Sequence, residues 1–432
     1  MDKEFCLLDE PWIKVLDEQN VTREVSLIDI FTNAHRYKRL AGETVTQDAA
    51  ILRLLLAVAI TVFYRYRADG CEDWVLEYDD PEEEILNRWS EYWDSGAFNA
   101  NVFQEYLETY RERFYLFHPE TPFWQVADLE DGTNYSVINL FGNIKESNNA
   151  ASRHHFHTID GSYIDNISYA EAARWIVYNN AYSVNVKTKV DGENKPTGVG
   201  RLGQLGLIIV EENTLYKIMM MNLCALNING EVWNNPKPIW EKEPRTRPGV
   251  EIVAPDNLPQ LYTIQSRRLL LYRDNEKILG YRSIGGDYYS TVDDLTEPMT
   301  LLRRDGKEKI SFKPKKHAKE IVAWREFPSL LVENELKPGI ICWLENLMHN
   351  SVIDNKQIVT FRMIGLEYGD GMSYTNGELI DESLSMSNEF LNQVGRVWIT
   401  YITDQVNKCE DVVQKALYLS LIHISEPTRL RC

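Results

Sequence analysis

The densest group of potential metal ligands in the chain is His154, His155, His157 and Asp160. Imidazoles and a carboxylate can hold a divalent ion and activate a water for phosphodiester hydrolysis. Metal sites usually draw their ligands from separated, rigid elements at helical or strand spacing. These four crowd one loop with no second carboxylate cluster beside them. A polar loop that touches a partner or a nucleic acid is the better reading, with a solvated loop close behind. A metal-dependent nuclease built on residues 154–160 stands as the rival, and the expectation is no metal and no cofactor.

Gly198-Val199-Gly200-Arg201-Leu202-Gly203 matches GxGxxG. A dinucleotide site would need a strand before the glycines and a helix after them, so that the helix N-terminus meets the pyrophosphate. A polar turn, Asp191 to Pro196, precedes this run, and strand-like Leu205 to Val210 follows. The glycines are therefore expected to let backbone approach something closely. Lys187 and Lys189 lie just upstream, where a short basic loop can approach a phosphate backbone. Lysines on a solvated loop are the plain alternative. No nucleophile elbow and no well-placed pair of acids is found, so nothing argues for catalysis.

The elements that would position these residues follow from periodicity. Phe5 to Leu16 reads as strand and turn, and Glu24 to Ala34 as strand into helix. Thr46-Gln47-Asp48 offers an N-cap for a helix over Ala49 to Tyr66, apolar on most of its surface and so buried. Helices follow through Trp89 and Trp93, over Val102 to Phe114, and over Ala170 to Asn180. Leu205 to Glu211, Tyr216 to Met221, Leu261 to Leu271, Lys277 to Tyr289 and Ile358 to Leu366 read as strands. Ala318 to Val332 and Pro338 to His349 read as helices, and Gly369-Asp370-Gly371 as a tight turn. After Ser383 a long helical pattern runs from Phe390 to Leu417; its wide apolar face requires partner helices.

With 432 residues the chain suggests two or three domains. Its formal charge of -19 argues against unaided gripping of nucleic acid, which needs Lys and Arg. Local patches are another matter: residues 303–319 hold Arg303, Arg304, Lys307, Lys309, Lys313, Lys315, Lys316 and Lys319. The six cysteines form no CxxC pair and read as reduced thiols. The N-terminus has no signal-peptide pattern, and the apolar run Leu54 to Phe63 is short for a membrane span. A cytoplasmic protein with no membrane partner is expected.

Several phrases, taken in order, resemble one family. They are Phe5-Cys6-Leu7-Leu8-Asp9-Glu10-Pro11-Trp12-Ile13, then Leu40 to Ala57, Phe114 to Gln125, Thr197 to Gly206, Leu261 to Arg268, Glu297 to Thr300, Ala323 to Arg325, and Gly365 to Gly369. Together they look like the large subunit of the type I-E CRISPR surveillance complex (Cascade), the CasA family. The resemblance implies an α+β fold: an irregular mixed N-terminal domain, here residues 1–375, and a C-terminal four-helix bundle. Residues 384–419 would supply only the bundle's first helix, and residues 420–432 are expected to be a non-native tail.

The resemblance also implies a non-enzymatic role. Members sit at the foot of a guide-RNA complex, read a short protospacer-adjacent motif on duplex DNA, help open the duplex and recruit a helicase-nuclease. The implied partners are the other Cascade subunits, the CRISPR guide RNA, target double-stranded DNA and that effector; target sequence is read by base pairing. The family reads its motif from the minor groove, with a loop matching Ser183-Val184-Asn185-Val186. This chain has no glycine there, and Asn185 is the residue placed to reach a base edge. The family's wedge matches Gly371-Met372; an apolar tip can insert between base steps, and the plain alternative is a simple turn residue. Where a lysine finger is expected, Arg282 is the nearest cation. Phe156 either stacks on the RNA end or the motif, or anchors its loop. A scaffold that binds only protein is the second rival.

Overall fold

The computed structural model describes residues 3–142, 167–185, 187–190, 193–196, 198–244, 251–252, 255–274, 277–289, 296–305, 311–317, 337–354, 356–391 and 396–425. The fold is α+β, as expected. Its first part is a three-stranded sheet of β1 (Ile13–Asp17), β2 (Thr22–Val25) and, beyond the short helix α1 (Leu27–Asn33), β3 (Tyr37–Leu40), in the order β2-β1-β3. The central element is α2 (Val45–Phe63), whose start is set by the Thr44 hydroxyl accepting from the Gln47 amide. Helix α2 is long and apolar enough to cross a membrane, but the fold buries it. A helix apolar on all sides is stable in water only inside a core. Around it pack α3 (Pro81–Ser95), α4 (Ala100–Thr109), α5 (Tyr169–Tyr182), α6 (Leu215–Asn222) and α7 (Leu258–Tyr262).

The one cation in the middle of α2 is neutralised from far away in sequence. Arg53 Nη1 and Nη2 donate to the two Glu297 carboxylate oxygens across 2.6 and 2.9 Å. The guanidinium carbon also lies 3.7 Å from the centre of the Tyr262 ring. Burial alone would raise the Glu297 carboxyl, but Arg53, with Arg201 at 3.7 Å, outweighs it and holds the group below its usual range.

Two further antiparallel sheets carry the residues of interest. One orders β4 (Thr133–Ser136), β5 (Arg267–Asp274) and β6 (Lys277–Gly285) as β5-β6-β4. The other orders β7 (Leu207–Glu211), β8 (Ile358–Tyr368) and β9 (Thr375–Ser387) as β9-β8-β7, with Phe361 facing Val210 on one side and Leu384 on the other. A smaller hairpin pairs β10 (Lys187–Val190) with β11 (Glu193–Pro196), and another pairs β12 (Leu302–Asp305) with β13 (Ser311–Pro314). Helix α8 (Gly339–His349) adds to the core before β8, and α9 (Arg396–Ser425) follows β9 in the chain.

Several expectations change. Tyr216 to Met221, read as a strand, is helix α6: the Thr214 hydroxyl caps the Lys217 amide, and burial on nearly every side hides the helical period. Leu261 and Tyr262 end the short helix α7, and the strand begins only at Arg267. Residues 384–387, assigned to the terminal helix, belong to β9 because they pair with 358–361 of β8. Helix α9 continues to Ser425, so residues 420–425 prolong it. Ala318 to Val332 lies outside the described residues.

Candidate nucleic-acid interface

The site begins where α5 stops. Ser183 leaves the helix with extended ψ while its amide still donates to Asn179 O. The chain then runs through buried Val184 to half-buried Asn185. The glycine run packs against this exit: Gly200 N donates to Ser183 O across 2.9 Å. A Cβ at Gly200 would lie 2.4 Å from Ala181 O, and one at Gly203 would lie 2.1 Å from the Tyr368 hydroxyl. The close approach read from the sequence is therefore to the end of α5 and to Tyr368. Only a 3-10 turn, Leu202–Gln204, separates the glycines from β7, so no α-helix N-terminus faces a phosphate there.

The opposite wall is the tip of the β8–β9 hairpin. Tyr368, last in β8, donates its hydroxyl to Tyr182 O across 2.8 Å and so ties the hairpin to α5. Gly369 exchanges a bond with the far side of the turn, its amide donating to Tyr374 O. Gly371 and Met372 both take left-handed φ, +62° and +56°. A non-glycine residue in that region is uncommon and is held there by its surroundings. Met372 N donates to Gly369 O across 2.8 Å, and its side chain is 43% exposed at the tip.

Asn185 joins these walls. Its amide donates to Met372 O across 2.7 Å, its Nδ2 donates to Gly371 O across 3.2 Å, and its Oδ1 accepts from Gly198 N across 3.1 Å. The loop at 183–185, the glycine run and the Gly371-Met372 turn thus form one ledge. Beneath it lies Arg267, 3% exposed, donating to Val184 O and Gly198 O. Beside it, the Lys316 ammonium sits 5.0 Å from the centre of the Tyr368 ring, on the segment after the β12–β13 hairpin with its exposed Arg303 and Arg304. Lys316 of the basic stretch noted in the sequence therefore lies beside this ledge.

The other expected site residues are placed differently. Lys187 and Lys189 lie on β10, opposite Pro196 and Asn194 of β11. Arg282, on β6, donates to Asn134 Oδ1 and to the carbonyls of Leu129 and Glu130, and lies over the Tyr272 ring. Among the described residues no hydrogen bond ties Arg282 to Asn185 or Met372; it pins the loop leading into β4. Phe156 and the His154, His155, His157, Asp160 group lie outside the described residues. Among those described, no three His, Cys, Asp or Glu side chains converge as metal ligands. Sequence reading missed Arg267 and Tyr368 as supports of the ledge. Both lie in phrases that carried the resemblance, but their roles depend on contacts with distant backbone.

The family described as CRISPR-associated protein Cse1 matches residues 7–424. The chain belongs to the Cse1 family. It is 28% identical to CasA/Cse1 of Thermus thermophilus over 338 residues, which is 76% of this chain but 60% of that relative. Among solved structures, Cse1 of Thermobifida fusca superposes with a TM-score of 0.78 at 27% identity, covering 93% of this chain and 77% of that one. Cse1 of Acidimicrobium ferrooxidans gives a TM-score of 0.75 at 24% identity, covering 94% and 75%. A subunit of a CRISPR RNA-guided surveillance complex shares the fold, with a TM-score of 0.68 at 17% identity, covering 89% and 76%.

Proposed function

We propose that this Cse1-family chain is a non-catalytic, DNA-contacting large subunit of a cytoplasmic CRISPR RNA-guided surveillance complex. Its ledge reads the adjacent motif and starts duplex opening. The carrying observation is that Asn185 and exposed Met372 are hydrogen-bonded into one tip. Asn185 spends its amide and one side-chain N–H on holding the turn, and the residue itself is half-buried, leaving its second side-chain N–H for a base edge. Met372 projects an unbranched apolar side chain of the kind that inserts between base steps, where unstacking costs a few kcal/mol.

The charge of -19 fits a subunit that receives DNA from neighbours already holding a basic channel. Its partners in this reading are the other subunits, the guide RNA, the target duplex and a recruited helicase-nuclease. Helix α9, with exposed Trp398, Tyr401 and Leu417, is read as one helix of a bundle.

The test uses the reconstituted complex and a duplex carrying a fluorescent base analogue beside the motif. Met372→Gly combined with Asn185→Ala is expected to slow opening by about ten-fold or more, given unstacking costs of a few kcal/mol. Unchanged opening would remove the reading. A photoreactive base beside the motif should crosslink near Met372, which a protein-only scaffold would not allow. Metal-dependent cleavage lost on replacing His154 and His155 by Ala would instead favour the nuclease.

A further inference from the structure

Arg267 is a fully buried cation with an unusual set of partners. Its Nη1 donates to Ser266 O across 2.6 Å, and its Nη2 donates to Val184 O and Gly198 O across 2.7 and 2.6 Å. Among the described residues no carboxylate pairs with it; the titratable groups around it are the phenols of Tyr368, Tyr135 and Tyr281, which are neutral at neutral pH. Burial pulls its ionisation down to about 10, so it remains a cation at neutral pH. Burying a charge without a counter-ion is costly. A neutral amide could donate to two carbonyls at less cost, so tying loops together does not by itself explain an arginine.

The geometry shows what the guanidinium reaches. Val184 O and Asn185 N belong to one peptide unit. Its carbonyl end takes Arg267, and its N–H end donates to Met372 O. A cation on the carbonyl polarises the peptide and strengthens the bond at its other end. The second carbonyl on Nη2 belongs to Gly198, whose amide holds the Asn185 side chain. The peptide that bonds Asn185 to Met372 and the residue that holds its side chain outside the turn, Gly198, therefore both lead back to one guanidinium, on a residue whose own backbone amide is fixed by Asn180 Oδ1 of α5.

We propose that Arg267 is the positioning residue of the ledge, setting Asn185 and Met372 for the duplex through the Val184–Asn185 peptide and Gly198. This rests on the DNA-contacting reading above. It adds a buried arginine that touches no nucleic acid yet governs how the tip engages it.

The experiment compares Arg267→Met, Asn185→Ala with Met372→Gly, and all three together, in the reconstituted complex. Amide hydrogen exchange is read alongside base-analogue opening. In Arg267→Met the Asn185, Gly198 and Gly200 amides should exchange about ten-fold faster while those of β7 and β8 keep their protection. Opening should slow by about ten-fold, and adding Arg267→Met to the double variant should cost nothing more, as for residues acting as one unit. If Arg267→Met fails to fold, Arg267→Lys, which keeps the charge and loses the fork, takes its place with the same expectations. Unchanged exchange at Asn185 and Gly198 overturns the proposal. So does a full, multiplicative effect of Arg267→Met in the double variant, the mark of general destabilisation. If the double variant opens DNA slowly while Arg267→Met has loosened amides and normal opening, the positioning role alone falls. If the double variant opens DNA normally, the DNA-contacting reading falls and takes this proposal with it.

Discussion

The amide of Asn185 donates to the carbonyl of Met372 across 2.7 Å, and its side chain holds Gly371, 186 positions away. A residue at a helix exit and a residue at a hairpin tip are thus fixed as one edge. Asn185→Asp keeps the acceptor for Gly198 and loses the Nδ2 donor to Gly371. Net contributions of such bonds are about 1 kcal/mol, so thermal unfolding should move little. Opening of target duplex in the assembled complex should suffer more, because an added carboxylate faces phosphate. Equal effects on both readouts would mean the pair is only structural.

The Arg53–Glu297 pair should be a large single contributor to stability. Both side chains are buried, and Glu297→Gln leaves the guanidiniums of Arg53 and Arg201 without their carboxylate. Breaking a buried pair typically costs about 3–5 kcal/mol. Denaturant unfolding of Glu297→Gln should show a loss of that order, with an unchanged slope. Replacing both Arg53 and Glu297 by Met should cost less than Glu297→Gln, since no buried charge on either is then orphaned.

Asp48 makes stability depend on pH in the opposite sense from most carboxylates. Burial pushes its carboxyl up to about 7, against the Gly42 amide and Arg362, which favour the anion. The unfolded value is about 3.9. With the folded value higher, its contribution is fully present below about pH 4 and is lost as pH rises through about 7. Asp48→Asn can still accept from the Gly42 amide. It should match the parent near pH 4 and exceed it at pH 8 by on the order of 1–2 kcal/mol, discounted for partial exposure. Parallel unfolding midpoints across that range would contradict the shift.

The isolated chain should bind duplex DNA weakly, because its 65 acidic residues outnumber its 46 basic ones, and the binding it has should weaken as salt rises. Filter binding across a salt series tests this. Tight, motif-specific binding without the other subunits would mean the acidic surface has been misjudged.

Helix α9 exposes Val397, Trp398, Tyr401, Val412, Val413, Leu417 and Tyr418. Contiguous apolar surface of this kind drives association. Polar replacement of Trp398, Tyr401 and Leu417 should reduce concentration-dependent self-association in sedimentation while leaving thermal unfolding in place. An accompanying loss of unfolding temperature would show instead that these side chains support the core.

Much of the architecture was legible because it is local. The apolar circumference of Val45–Phe63 required burial, the helix through Trp89 and Trp93 formed as α3, and the Gly369–Gly371 turn was visible from its glycines. Helix α6 was misread because Leu215 to Met221 is apolar almost throughout, and a segment buried all round has no period to reveal its type. The limits of β9 were misread because the polar and apolar residues of 375–387 gain meaning only from their register on β8.

The sequence by itself determined that the chain would bury a long apolar helix, carry glycines for close backbone approach, and hold local basic segments on an acidic whole. Those properties follow from side-chain chemistry and near-neighbour spacing. Only the tertiary structure decided that Asn185 would meet Met372, that Arg267 would lie beneath both, and that Arg282 would be occupied elsewhere. These are contacts between backbone groups and side chains far apart in the chain, and no local pattern encodes which carbonyl a buried guanidinium will find.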